Sequence, residues 1–496
     1  MFAPTSTLLL FLASALANPV SRSSPPALTE CLNDNGLNVE VAQSPNWQTS
    51  TTPFNTRFHY TPAAIVYPTQ TSDVSKAVEC AAKFRIHVSA LSGGHSYSAS
   101  GYGSQDGALV IMFRDMAKIT YSSSDGMAII QPGIRLGDVA TELYDKYGRA
   151  MAHGICPYVG GTRRLWWMGL SSRSWGLLID QVVAADMVLA NGTVVHVTDS
   201  ENPDLFFAIR GASPSYGIVT QYTFQTHQAP TSVIRFAFNF IDNDRSADKF
   251  AKLLRAYQTW GLTAPKEMGI VANVWQAGRD VEMAGYYMGS QADFDRVSGS
   301  LLSATGQPTA TYIQERGWIT ALTEADGGSS LSTQGAPNIH DTFFAKSLVI
   351  PTSAPLTSDA FSALAKYFTT TPLPDSLSWF IQFELWGGGD SAISSVPAAA
   401  TAFPHRAHHI TTQFYVRSTG SWSTQGTAFG NGLVSAITSA MEGRPFGAYA
   451  NYIDPELSGW REKYYAGNYE RLAAIQAEVD PSGVFMKAQN IGAPDS

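Results

Sequence analysis

The sequence predicts an α+β protein of two domains. Three observations carry that expectation. Up to residue 227, apolar runs of strand length alternate with a few amphipathic helices and Gly-rich turns. From residue 228 to 446 the segments lengthen, grow rich in Trp, Tyr and Phe, and lose most of those turns. From residue 447 to 496 the first texture returns.

Composition sets the outer bounds. A chain of 496 residues can build two sizeable cores. With 44% hydrophobic and only 15% charged residues it is too apolar for disorder. A net charge of −8 and the lack of any basic run argue against a nucleic-acid partner, whose phosphates would need neutralising. A charge-poor, aromatic-rich chain suits a neutral substrate such as a sugar or a small aromatic.

Residues 1–17, MFAPTSTLLLFLASALA, have the apolar centre and the Ala15-Leu16-Ala17 end of a cleaved secretion leader, without a basic start. The leader is too short to cross a membrane and no later run is long enough, so a secreted protein is expected. Residues 18–60, rich in Pro, Ser and Asn, read as an arm wrapping the body. Ser72 and Asp73 are placed to cap a helix whose Val74, Ala77, Val78, Ala81 and Ala82 share one face. The helix leads to the strand-like run Ile86–Ala90, which opens into LSGGHSYSASGYG, residues 91–103. Gly93 and Gly94 free the backbone for positive φ. Successive N–H groups in such a turn form an anion-binding nest, with His95 where a ligand of that nest would lie. A tight surface turn with a solvated histidine is the alternative.

Leu109–Met112 and Met127–Gln131 are strand candidates, and Asp138–Tyr147 is a helix stopped by Gly148. A second Gly-rich stretch, residues 151–175, carries the isolated Cys156. Met187–Ala190 and Thr193–Val197 flank Asn191-Gly192, a hairpin signal. With Thr193 this pair also forms the one N-x-S/T sequon, so glycosylation is expected at Asn191. Tyr216–Gln225 is a further strand. In the second domain, strands are expected at Ile234–Phe240, Trp379–Trp386 and Thr411–Val416. WFIQFELW puts Trp379, Ile381, Phe383 and Leu385 on one face and Phe380, Gln382, Glu384 and Trp386 on the other. The second set suits a binding surface or a solvated sheet face. Near the end, YANYID reads as a short strand and Tyr465–Val479 as a helix closed by Asp480-Pro481. His405, His408 and His409 have no Cys or carboxylate at ligand spacing, so no metal site is expected.

Three cysteines leave one over in a secreted chain. Pairing Cys31 with Cys80 would pin the arm to the first helix. Cys156 would then stand alone, as a buried inert thiol or as a thioether to a cofactor.

These stretches resemble the FAD-linked oxidases of the berberine-bridge-enzyme type, within the vanillyl-alcohol-oxidase superfamily. GGHSY is similar to the segment whose histidine binds the flavin 8α-methyl, and HGICPYVG to the segment whose cysteine binds flavin C6. The resemblance continues, in order, through SRSWGLLIDQVVAADMVLANG, ENPDLFFAIRGA, YGIVTQYTF, YANYID and YYAGNYERLAAIQAEVDPSGVF. It implies a bicovalent FAD on His95 and Cys156. It implies a two-part FAD-binding domain, residues 18–227 and 447–496, and a substrate domain at 228–446 whose antiparallel sheet roofs the flavin. It supports the Cys31–Cys80 pairing. Further cofactor contacts are implied at Ser92, Gly93, Gly94, Ser96, Gly154, Gly217, Val219 and Asn451, and substrate contacts at Tyr97, Gln382 and Tyr449.

A flavin oxidase moves a hydride from a C–H bond to N5 and needs a base for the adjoining O–H or N–H proton. The resemblance implies Tyr452 as that base, with Tyr449 as runner-up, Glu384 as its supporting acid and Gln413 facing the site. Within the family the local sequence is most similar to fungal oligosaccharide oxidases, which convert a reducing-end hydroxyl to a lactone and pass electrons to O2, giving H2O2. A monomer with no metal, nucleic-acid or membrane partner is expected.

The chain departs from the family most in one loop. After CPYVG a Gly-rich run is replaced by GTRRLWWMGL, with Arg163, Arg164, Trp166 and Trp167 in place of glycines. A displaced loop, compensating frameshifts and loss of flavin are the three explanations. His408–Thr412 lacks the aromatics common before Q-F-Y, and Trp386 stands where a histidine often precedes the Gly-Gly pair. A secondary-metabolite oxidase or oxidative cyclase of the same family, and a flavin-less binding protein, are the competing readings.

Overall fold

A computed structural model describes residues 25–160, 168–241, 246–276, 280–335 and 338–494. The leader at 1–17 and the divergent run at 161–167 lie outside the described residues. The fold is α+β, with two sheets built from residues 39–225 and a larger antiparallel sheet from residues 232–418.

In the first sheet, strands Ala64–Val66 and Val88–Leu91 flank Leu109–Met112, both parallel to it, and Val39–Glu40 adds an antiparallel edge. Helix Thr71–Lys83 makes the crossover between the first two, burying Val74, Ala77, Val78, Cys80 and Ala81 at helical spacing. It starts earlier than its Ser72 and Asp73 suggested: Gln70 is the cap residue and makes no side-chain capping bond. Asp73 lies in the first turn, where a carboxylate meets the positive helix end, and accepts from the Thr69 N–H and hydroxyl at 3.0 Å each.

The N-terminal arm is more regular than its composition suggests. Helix Pro25–Asp34 sets Leu28 and Leu32, both 0% exposed, against that first helix. Cys31 and Cys80 form a disulfide across 49 residues. Closing such a loop is worth about 4 kcal/mol in the chain-entropy model. The Cys31→Ala/Cys80→Ala variant is therefore expected to lose about that much unfolding free energy in denaturant titration, and a loss near zero would contradict the pinning role.

The second sheet is antiparallel, in the order Ile119–Ser122, Met127–Ile130, Ile218–Gln225, Val182–Val188, Val194–Val197. The Asn191-Gly192 hairpin closes its edge, with Gly192 at φ +82 and Asn191 exposed. The C-terminal segment packs on this sheet: Trp460, Tyr464, Tyr465, Leu472 and Ile475 share its core. Two expectations there are corrected. YANYID is not a strand; Ala450–Tyr452 is a 3-10 turn. The helix expected from Tyr465 begins at Tyr469, after a separate helix Trp460–Tyr465 and a break at Ala466, whose φ is +43. Tyr464 and Tyr465 end the first of these helices as buried anchors, and the non-helical backbone of Ala466 redirects the chain after them.

The third sheet has seven strands, in the order Ala310–Gly317, Ser232–Ile241, Asp280–Tyr287, Met268–Trp275, Leu377–Leu385, His408–Ser418, Thr342–Pro351. Helices Ala247–Gly261, Ser358–Thr370 and Thr424–Ala440 bury one face of it. Trp379, Ile381, Phe383 and Leu385 point into that helical layer, as their alternation predicted. Phe380, Gln382 and Glu384 point the other way. Trp386 is the exception. It follows the end of the strand and is 0% exposed, packed into the core shared with the second sheet, so it is not part of an open binding face.

Candidate active site

Two loops meet at the foot of the site. The first follows strand Val88–Leu91, and Gly94 turns it at φ +77. The Ser96 and Ser100 hydroxyls lie 2.7 Å apart and Ser100 N–H donates to Ser96 Oγ, closing the loop into the turn Ser100–Tyr102. The second loop, around Cys156, hangs from the start of helix Leu136–Tyr147: Leu136 N–H donates to Val159 O and Gly137 N–H to Pro157 O, each at 3.0 Å. The loops interlock through glycine. A Cβ on Gly93 would sit 2.2 Å from Gly160 N and 2.5 Å from Tyr158 O. Gly93→Ala is expected to force the loops apart at a cost of about 1–3 kcal/mol, read as a lowered unfolding midpoint; an unchanged midpoint would contradict the interlock.

Above these loops, adjacent strands supply the roof in fixed register. Gln382 pairs with Asn273 on one side and Gln413 on the other, and Glu384 pairs with Val271 and Thr411. The turn Ala450–Tyr452 closes the site, with Tyr449 N–H donating to Ser347 Oγ at 2.8 Å. The arm completes it: Phe54 stacks on the His95 ring at 4.3 Å, and Asn55 Nδ2 donates to Tyr97 O and Phe343 O.

The cavity, open on one side, is about 380 Å³. His95, Cys156, Ser92, Gly93, Gly94, Ser96 and Gly154 line it, together with Tyr97, Gln382, Glu384, Gln413, Tyr449, Asn451 and Tyr452. Gly217 and Val219 do not: Gly217 packs against Met187 and Val188, and Val219 is 5% exposed in the core of the second sheet. Both phenols of Y-x-N-Y face the cavity because the turn rotates them to one side, with rings 5.0 Å apart and edge-on.

The polar contacts single out one pair. Tyr452 Oη donates to Glu384 Oε1 at 2.5 Å, and Trp386 Nε1 donates to Glu384 Oε2 at 3.0 Å. Gln413 Nε2 donates to the Tyr97 phenol at 2.7 Å, and Tyr97 stacks on Tyr452 at 5.7 Å. Asn451 Nδ2 donates to the Tyr449 phenol at 3.0 Å. Burial pushes Glu384 up to about 7, against the lowering effect of its two donors. Burial also holds Tyr452 well above the ordinary phenol value, and the nearby Glu384 charge adds to that. The His95 imidazole is brought down to about 3, chiefly by burial and then by Arg135, so it is neutral with a free lone pair. The Cys156 thiol is pushed up to about 11 by burial.

These residues fit a flat anionic cofactor. The main-chain N–H groups of Gly93, Gly94, His95 and Ser96 donate to no other described residue, which is compatible with an anion held at this turn. One neutral imidazole and one thiol face the same cavity. His405 and His409 instead hydrogen-bond to the carbonyls of Lys463 and Gln258 at 2.8 Å.

Sequence reasoning missed Phe54, Asp326 and the hydrogen bond from Trp386 to Glu384. Phe54 and Asp326 line the cavity from the arm and from the end of helix Trp318–Asp326. No local motif marks either one.

Comparison with known proteins gives the family. The family model "FAD binding domain" matches residues 62–198, and "Berberine and berberine like" matches 448–492. A chitooligosaccharide oxidase from Gibberella zeae is 35% identical, over 98% of this chain and 98% of its own. A xylooligosaccharide oxidase from Thermothelomyces thermophilus is 35% identical, over 98% of this chain and 99% of its own. The solved glucooligosaccharide oxidase from Acremonium strictum, which carries a 6-S-cysteinyl, 8α-N1-histidyl FAD, superposes with a TM-score of 0.88 at 29% identity, covering 95% of this chain and 100% of that one.

Proposed function

The chain belongs to the berberine-bridge-enzyme-like FAD-linked oxidases, and on that premise we propose that it oxidises the reducing-end hydroxyl of an oligosaccharide to a lactone, with O2 as acceptor and H2O2 as second product. The observation that carries this is the Tyr452–Glu384 pair, 2.5 Å apart in a cavity that His95 and Cys156 also line. FAD held through His95 and Cys156 supplies the two-electron acceptor for the hydride.

The rest of the chemistry is proton handling by the chain. A free Tyr452 phenolate is disfavoured by burial. Tyr452 therefore takes the substrate hydroxyl proton only as its own proton passes to Glu384 Oε1. Glu384, held near 7, is suited to receive it. The Gln413–Tyr97 bond and the Tyr97–Tyr452 stack keep the base ring in one orientation. Phe380, partly exposed and stacked at 4.8 Å on the buried Tyr415, offers an aromatic face on which a sugar ring can pack. The Cys31–Cys80 disulfide suits a secreted enzyme, and no described helix is long and apolar enough to cross a membrane.

The test is a panel of oligosaccharides assayed for peroxide, with mass spectrometry of the sugar. The reading expects peroxide and a sugar product that gains one oxygen atom once its lactone hydrolyses. Peroxide with no sugar product, or no turnover with any sugar, would overturn it.

A further inference from the structure

We propose that Trp386 is a positioning residue of this relay: its indole N–H confines the proton gained by Glu384 to Oε1, the oxygen facing Tyr452. The inference rests on the Tyr452–Glu384 reading and goes beyond it to a residue that touches neither substrate nor cofactor in that scheme.

The backbone at Trp386 is clamped. Its N–H donates to His409 O at 3.0 Å and its carbonyl accepts the Ser391 hydroxyl at 2.6 Å. The next residue, Gly387, leaves no room for a Cβ, which would sit 2.0 Å from His408 O. The ring is 0% exposed, with His408 at 4.7 Å, Tyr449 edge-on at 5.1 Å and Phe403 at 5.8 Å. A side chain so enclosed has one orientation, and in it Nε1 lies 3.0 Å from Glu384 Oε2.

Indole N–H is a donor only and does not titrate in water. A proton on Oε2 would face that N–H hydrogen to hydrogen and leave a buried donor without an acceptor, which is costly. The only oxygen left to carry the proton is Oε1, which is bonded to Tyr452. The carboxyl thus accepts its proton on the side from which the relay delivers it. The titratable groups that act on Glu384 are the phenols of Tyr97, Tyr257, Tyr449 and Tyr452, each held above its ordinary value by burial, while burial keeps His408 on the Trp386 ring and His95 across the cavity well below the ordinary imidazole value and holds the Cys156 thiol up. None of them supplies a competing charge near neutral pH. A histidine in place of Trp386 would accept as well as donate, and would itself titrate, so either carboxyl oxygen could hold the proton.

The test is made on holoenzyme with matched flavin content. In Trp386→Phe the donor is gone while a ring remains. The acid limb of kcat should move up by about one to two pH units, as expected for losing a hydrogen bond to a charged group. KM should stay within about twofold, since Trp386 lies behind Glu384. The protonated-carboxyl band in infrared difference spectra, assigned by its loss in Glu384→Gln, should titrate at the same displaced midpoint without turnover. A limb and a band at their wild-type pH, whatever the loss of rate, would show that Trp386 only fills space and would overturn the proposal. If Trp386→Phe does not fold, Trp386→His carries the test. Its acid limb should steepen to two protons or shift, and a single unshifted limb again overturns the proposal. Glu384→Gln separates the two levels: an acid limb that survives there defeats the Tyr452–Glu384 reading itself.

Discussion

Replacing Tyr452 with Phe is expected to lower kcat by about 10²- to 10⁴-fold, the usual worth of a positioned acid–base group. Only the hydroxyl is lost. The ring keeps its stack on Tyr97 and its edge contact with Tyr449, so folding and flavin content should match wild type. Glu384→Gln should fall by a comparable factor and also change the shape of the pH profile. Glu384 must be ionised to receive the proton, and it titrates near 7. The wild-type rate should therefore rise with pH through about 7 and then level, and the Gln variant should lack that limb. Stability runs the opposite way. The folded pKa lies above the ordinary 4.5, so the folded state binds more protons than the unfolded state between about 4.5 and 7. The Glu384 contribution to stability thus declines as pH rises through that window, and Glu384→Gln should remove that decline. A Tyr452→Phe enzyme within a few-fold of wild type would remove the phenol from the relay.

The second large effect concerns the two linkages. His95→Ala and Cys156→Ala should each leave flavin colour in the acid-precipitated protein, held by the remaining bond. The double variant should release it entirely to the supernatant. The geometry behind this is the shared cavity: imidazole and thiol come from two loops that interlock at Gly93 and Gly160. Colour released by wild-type protein would contradict bicovalent attachment, and colourless protein would point to the divergent run at residues 161–167. Colour that survives in the double variant would require a third linkage.

Much of this was legible in the sequence where a short period or a turn fixes geometry. The alternation in WFIQFELW set Gln382 and Glu384 on the face opposite Ile381 and Phe383, because a strand leaves no other choice. Asn191-Gly192 marked its hairpin because positive φ is demanded there. Gly94 of GGHSY turns its loop for the same reason, at φ +77, whereas Gly93 has no positive φ and is held to glycine by the close approach of Gly160 and Tyr158. What failed was set by tertiary packing. YANYID alternates like a strand, yet its tyrosines are anchored separately, by Glu384 and by Asn451, and the backbone tightens into a 3-10 turn to reach both. Trp386 continues the alternation by one residue, but the strand ends at Leu385 and the ring turns into the neighbouring core. Phe54 reaches His95 from an arm far away in sequence, so no local pattern could announce it.

The most direct test of the account is an anaerobic titration of holoprotein, following flavin absorbance, with an oligosaccharide and with the same sugar reduced to its alditol. The account predicts bleaching by the sugar with a free reducing end and none by the alditol. Equal bleaching by both, or none by chito-, xylo- and gluco-oligosaccharides alike, would contradict it.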